Sequence, residues 1–70
     1  LLQVVETQAK TFINWEEYDR AVRRLTEALR YAPDAAVLHR LLGDAYTGQG
    51  RDDRARRHRR RARELAPGQP

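Results

Sequence analysis

Seventy residues with a net charge of +4 make one small domain or a piece of a larger protein. A chain this short seldom builds a core worth more than about 3–5 kcal/mol of net stability, and without cysteine neither a disulfide nor a thiolate metal site is available to staple it. The sequence shows no apolar run long enough to span a bilayer and no signal-peptide pattern, so no membrane contact and a cytoplasmic location are expected.

Taken in order, a first segment at about residues 2–13 puts Leu2, Val5, Ala9 and Phe12 on one helical stripe, with Val4 and Ile13 off it. Asn14-Trp15-Glu16-Glu17 then reads as a capping box, Asn14 accepting from the free amides of a second helix and Glu17 reaching back. In that helix, about 17–32, Tyr18, Ala21, Val22, Leu25, Ala28, Leu29 and Ala32 recur at three and four. Pro33-Asp34 is expected to stop it and cap the next, because the residue before proline avoids helical dihedrals.

The third segment, about 35–47, carries Leu38, Leu41, Leu42, Ala45 and Tyr46, and Gly48-Gln49-Gly50 makes a tight connection after it. The fourth, about 51–66, offers only Ala55, Ala62, Leu65 and Ala66, with His58 among them. Residues 67–70, Pro-Gly-Gln-Pro, are expected to be a disordered tail. No segment has a strand period, so the prediction is an all-α fold of two helical hairpins.

Shifted by 34 residues, Ala9 falls on Gly43, Phe12 on Tyr46, Asp19 on Asp53 and Ala21 on Ala55. Ala28 falls on Ala62, Ala32 on Ala66 and Pro33 on Pro67. One offset that aligns small, aromatic and proline positions together marks an internal helix-turn-helix repeat.

The second copy, with Leu42-Gly43-x-x-Tyr46 followed by Ala55, Ala62 and Pro67, resembles the tetratricopeptide repeat (TPR) family. The first copy keeps Ala9, Phe12, Tyr18, Ala21, Leu25, Ala28 and Pro33 but has Gln8 where a leucine is usual. Val5 and His39 stand where the family has a tryptophan. The resemblance runs from about Leu2 to Gln69 and implies a fragment of an α-solenoid. It implies one domain over residues 1–70, with units at about 2–34 and 35–68. Small residues would let each hairpin close, Phe12 and Tyr46 would fill its open end, and Ala28 and Ala62 would leave room for the neighbouring helix.

Catalysis is not expected. The sequence holds no serine or cysteine and one lysine, Lys10, so common nucleophiles are scarce. His39 and His58 are 19 residues apart with no acid at metal-ligand spacing beside either, and each reads as a histidine packed between helices. No metal or cofactor is expected.

The resemblance implies a partner-binding concave surface lined by Gln3, Glu6, Lys10, Ile13, Val37, Arg40, Asp44 and Thr47. Where some members clamp a terminal carboxylate with lysine and asparagine, this chain has Glu6, Lys10, Leu41 and Asp44, so that clamp is absent. A groove for a peptide or protein and a set of weak pairs across helices, Glu6 to Arg40 and Lys10 to Asp44, at up to about 1 kcal/mol each, both fit these residues. Trp15 in the turn is either a contact aromatic or, as is commoner, a ring folded back over its hairpin.

Charge is uneven: residues 1–50 have a net charge of −1 and residues 51–70 of +5. Thirteen arginines to one lysine, with many alanines, is a usage associated with GC-rich bacterial genomes. On a helical wheel Arg56, Arg57, Arg60 and Arg63 point away from Ala55, His58, Ala62 and Leu65, leaving a possible polyanion face. A solvated face explains the same residues, with Asp52–Arg56 and Arg60–Glu64 as supporting pairs at i,i+4. Nucleic acid is not the expected partner, since base-stacking aromatics are lacking in this half.

Arg59 stands where the first copy has Leu25 and where a following repeat would pack, so the fourth helix is expected to end the array as a polar cap. Leu1, Leu2, Val4 and Ile13 should leave apolar surface on the first helix, for a second copy or for upstream residues of a longer protein. The opening on Leu1 without methionine also suggests a longer protein. The expected role is a protein-interaction or scaffold module, with polyanion binding through the arginine-rich helix as the alternative. An accessory module of a bacterial regulator or kinase would carry the same features.

Overall fold

The apolar residues spaced at three and four wind into four helices: α1 (Leu2–Asn14), α2 (Tyr18–Leu29), α3 (Ala36–Gly48) and α4 (Asp52–Leu65). This computed structural model describes residues 2–66, among which there is no strand. Leu1 and the expected tail at 67–70 lie outside the described residues. The 34-residue offset holds in space: α1 and α3 begin and end 34 apart, and α2 and α4 begin 34 apart. Helix α2 stops at Leu29, three residues short of the expected end at Ala32. Both the Tyr31 and Ala32 amides donate to the Ala28 carbonyl, so the chain tightens ahead of Pro33 instead of continuing.

The same stop ends both odd-numbered helices. After α3 the Gly50 amide donates to Thr47 O (3.0 Å) and the Arg51 amide to Tyr46 O (2.8 Å), with Gly50 at φ 76°. After α1 the Glu16 amide donates to Ile13 O (3.0 Å) and the Glu17 amide to Phe12 O (2.7 Å), with Glu16 at φ 59°. Each is a left-handed C-terminal cap that satisfies otherwise orphaned carbonyls. Glu16, at the position equivalent to Gly50, holds this conformation despite its side chain.

This geometry overturns the expected capping box. Asn14 is consumed as the last residue of α1, and Glu17 is the N-cap of α2 without a side-chain cap bond. Nor does Asp34 cap α3, whose N-cap is Ala35. Backbone bonds such as Ala21 N to Glu17 O and Leu38 N to Ala35 O start these helices instead.

Packing follows the repeat. α1 lies against α2, and α3 touches α1, α2 and α4, whereas α4 packs on α3 alone. The core joins Val5 and Ala9 of α1, Leu25 and Ala28 of α2, Leu38, Leu41, Leu42 and Tyr46 of α3, and Ala55 of α4. Leu25, Leu38 and Leu42 are the largest fully buried side chains. Ala9 and Ala21 in one hairpin, and Gly43 and Ala55 in the other, are all buried, as the small positions of the repeat require for close approach. The Tyr18 ring lies on Gly48, so closely that a methyl group there would collide with it.

The two caps make opposite forecasts. A non-glycine residue in the left-handed region costs about 1–2 kcal/mol, partly offset by the chain entropy that glycine gives up, about 0.4–1 kcal/mol. Glu16→Gly should therefore raise unfolding free energy in urea by about 0.5–1 kcal/mol, and Gly50→Ala should lower it by a similar amount. A loss in the first and no change in the second would contradict the assigned turns.

Candidate functional site

Two helices of the same kind, α1 and α3, run side by side and expose the residues anticipated for a concave face. Gln3, Lys10, Arg40, Asp44 and Thr47 are exposed, and Glu6 is half-buried. Ile13 and Val37 are half-buried and pack against the core, Ile13 in the last turn of α1 and Val37 in the first turn of α3. Ile13 is thereby removed from the apolar surface expected on the outside of α1, where Leu2 and Val4 remain, Val4 at 52% exposure.

The pairs across helices are replaced by others. Lys10 pairs with Glu6 one turn back on α1 (3.1 Å), in the favourable order of Glu before Lys. Asp44 pairs with Arg59 of α4 (3.3 Å) rather than with Lys10. Arg59 reaches it because Gly43 has no side chain: a Cβ there would sit 2.7 Å from Arg59 Cγ. The aliphatic stem lies on the α3 backbone and the guanidinium emerges at the rim. Thr47 donates its hydroxyl to the Gly43 carbonyl one turn back (2.9 Å).

Trp15 does not fold back. It is 74% exposed, while the Tyr18 ring is the one that lies against Gly48. Tyr31, at 90% exposure, is a second outward aromatic, which sequence reasoning passed over. Its place just beyond the last turn of α2 was the available signal.

On α4, Arg56, Arg57, Arg60 and Arg63 are exposed as expected. The pairs differ in register: Arg56 bonds Asp53, and Arg61 reaches both Glu64 (3.4 Å) and Asp34 (3.5 Å). Three residues along a helix is as near a neighbour as four, and rotamers choose between them. All these pairs are solvent-exposed and contribute little to stability.

Sequence reading also missed the contact between the two histidines, which are 19 residues apart and meet only through the packing of α3 on α4. His39 Nε2 lies 2.9 Å from the Pro33 carbonyl, which only accepts, so this nitrogen carries a proton. In neutral His39 the Nδ1 is then an acceptor, and His58 Nδ1–H donates to it at 3.1 Å. The His58 ring stacks between His39 (5.3 Å) and Tyr46 (5.5 Å), and the Arg54 guanidinium lies 5.8 Å from the Tyr46 centroid. Burial first, then His39 and Arg57, hold His58 below the ordinary imidazole value. No group of three metal-ligating side chains occurs among the described residues, and none of their helices is long and apolar enough to cross a membrane.

The helix pairing, the 34-residue register and the small residues at the hairpin contacts define a helical-repeat protein. Tetratricopeptide repeat is the family whose model matches, over residues 7–70, and the chain belongs to that family. Neither a curated protein nor a solved structure matches it. Proteins of this family generally mediate protein–protein contact or scaffolding, and the repeats are typically non-catalytic.

The histidine contact has a pH signature. Folding lowers the His58 affinity for protons, so the unfolded chain binds more of them, and stability is lost as pH falls below about 6.5. Urea unfolding between pH 8 and pH 5 should show stability at its full value in the upper part of this range and declining below about 6.5. His58→Gln should flatten the decline, whereas an unchanged slope would remove His58 as its source.

Proposed function

We propose that this domain, two repeat units at about residues 2–34 and 35–68, is a non-enzymatic protein-interaction or scaffold module. It takes a peptide or protein partner on the face formed by α1 and α3. Membership of the tetratricopeptide repeat family supports the class of function. The observation that carries the choice of face is the exposure of Gln3, Lys10, Arg40, Asp44 and Thr47 beside the half-buried Ile13 and Val37. A face that carries charges of both signs, with a half-buried apolar side chain towards each end, suits an extended or helical segment of mixed polarity that pairs its polar side chains there. The Glu6–Lys10 and Asp44–Arg59 pairs are exposed, so exchanging them for pairs with a partner costs little.

Peptides selected from a random display library on the immobilised protein provide the test. Their affinity should fall by about tenfold or more in a Lys10→Glu, Thr47→Arg double variant, as expected for losing central contacts. It should stay within about twofold in an Arg23→Glu, Glu27→Lys variant of exposed α2 residues. Selected peptides that bind the first variant as well as the wild type would overturn the choice of face.

A further inference from the structure

The first hairpin shows what a groove between two paired helices does in this protein: α3 is seated against both α1 and α2, and buries Leu38 there. The equivalent groove between α3 and α4 is lined by Arg40, Asp44, Arg59, Ala62 and Arg63 and has a volume of about 360 Å³. At the 34-residue offset Ala62 repeats Ala28, so the floor is kept, while Arg59 and Arg63 replace Leu25 and Leu29. Arg40 and Asp44 replace Glu6 and Lys10, which moves a third arginine to this groove. The helix seat is therefore copied with its apolar wall rewritten as guanidinium groups.

We propose that the α3–α4 groove is a docking site for an acidic helix of a partner protein, with carboxylates on the face that meets Arg40, Arg59 and Arg63. This names a second surface, which shares Arg40 and Asp44 with the α1–α3 face but adds α4, and a ligand chemistry, and so goes beyond the reading of that face. Three arginines against one aspartate leave the groove cationic, and among the described residues Asp44 pairs with Arg59 alone (3.3 Å). An apolar helix would strand guanidinium groups away from water, whereas carboxylates at helical spacing satisfy them with paired, directional hydrogen bonds. Arg59 is already laid across Gly43, so its guanidinium is partly positioned before the partner arrives. Ala62 on the floor admits a helix at close range, as Ala28 does for α3.

The test uses the whole chain, ¹⁵N-labelled, and synthetic alanine-based helical peptides that carry glutamate at every fourth residue, with a glutamine version and a leucine version as controls. The glutamate peptide should shift the amide signals of Arg40, Gly43, Arg59 and Arg63 and bind at least tenfold more tightly than either control. Arg59→Leu, Arg63→Leu should reverse the order and favour the leucine peptide, and Arg59→Gln, Arg63→Gln should lose the glutamate peptide with the fold retained by circular dichroism. Equal binding of the glutamate and glutamine peptides would overturn the proposal. So would shifts spread evenly over Arg56, Arg57 and Arg60, which would mean diffuse attraction of any polyanion. Concentration-dependent shifts at the groove without peptide would assign it to a second copy of the chain and overturn it as well. Lys10 and Thr47 take no part in this readout, so a failure here is separate from a failure of the α1–α3 face.

Discussion

The seating of α3 on the first hairpin is the contact on which the rest of the molecule depends. Among the described helices α3 alone touches all three others, and it is the one helix on which α4 packs. Leu38 and Val4 occupy equivalent positions in the two hairpins, yet Leu38 is fully buried and Val4 is 52% exposed. Their local sequence settings are similar helices, so the difference is supplied by the neighbour: Leu38 has a hairpin to pack on. The same holds for Leu41, Leu42 and Ala45, which are buried, against Thr7, Gln8 and Thr11, which are exposed. Burial of three leucines supplies several kcal/mol at about 1.5–3 kcal/mol each, a large share of what a domain this size can hold.

The surfaces beyond that contact are made polar by substitution within the repeat. On α1, Gln8 takes the place of Leu42 and accepts from Arg24 of α2 (2.7 Å), so it is held to its own hairpin. On α4, Arg59 and Arg63 take the places of Leu25 and Leu29. Leucine at these places would add to the apolar surface of the described residues. Charge at these places keeps the seat's shape and changes its chemistry. The repeat keeps its small contact positions, Ala9 with Gly43, Ala21 with Ala55 and Ala28 with Ala62, while Leu25, Leu41 and Leu42 of the core have Arg59, Thr7 and Gln8 as their counterparts.

The helices, their order and the repeat were legible in the sequence because periodicity and a fixed offset are properties of spacing alone. Details that depend on which of several partners a group selects were not. Asn14 had the chemistry of a cap, but the left-handed turn at Glu16 draws it into the last turn of α1. Comparing Gly50 with its counterpart Glu16 was the signal for that turn. The residues of the α1–α3 face could be named from register, whereas their ion pairs could not, since Arg59 reaches Asp44 over a bare Gly43 that only packing brings beneath it. Trp15 was open to two readings, and its exposure in the folded chain, which depends on how the neighbouring elements pack, decides between them. The approach of His39 to His58 follows from the crossing of α3 and α4 and has no local signature.

If the seat of α3 holds the domain together, its loss should not leave half a structure behind. Leu38→Ala removes side-chain atoms from the contact between hairpins without touching a turn or a charge, at a cost of about 2–5 kcal/mol. That is comparable with the whole stability expected of a chain this size, about 3–5 kcal/mol. Thermal unfolding of the Leu38→Ala protein, followed by circular dichroism at 222 nm, is the most direct test. The account predicts a large fall in midpoint, or an unfolded chain at room temperature, with all the helical signal lost in a single transition. Retention of about half the helical signal, with a hairpin melting separately near the wild-type midpoint, would contradict it.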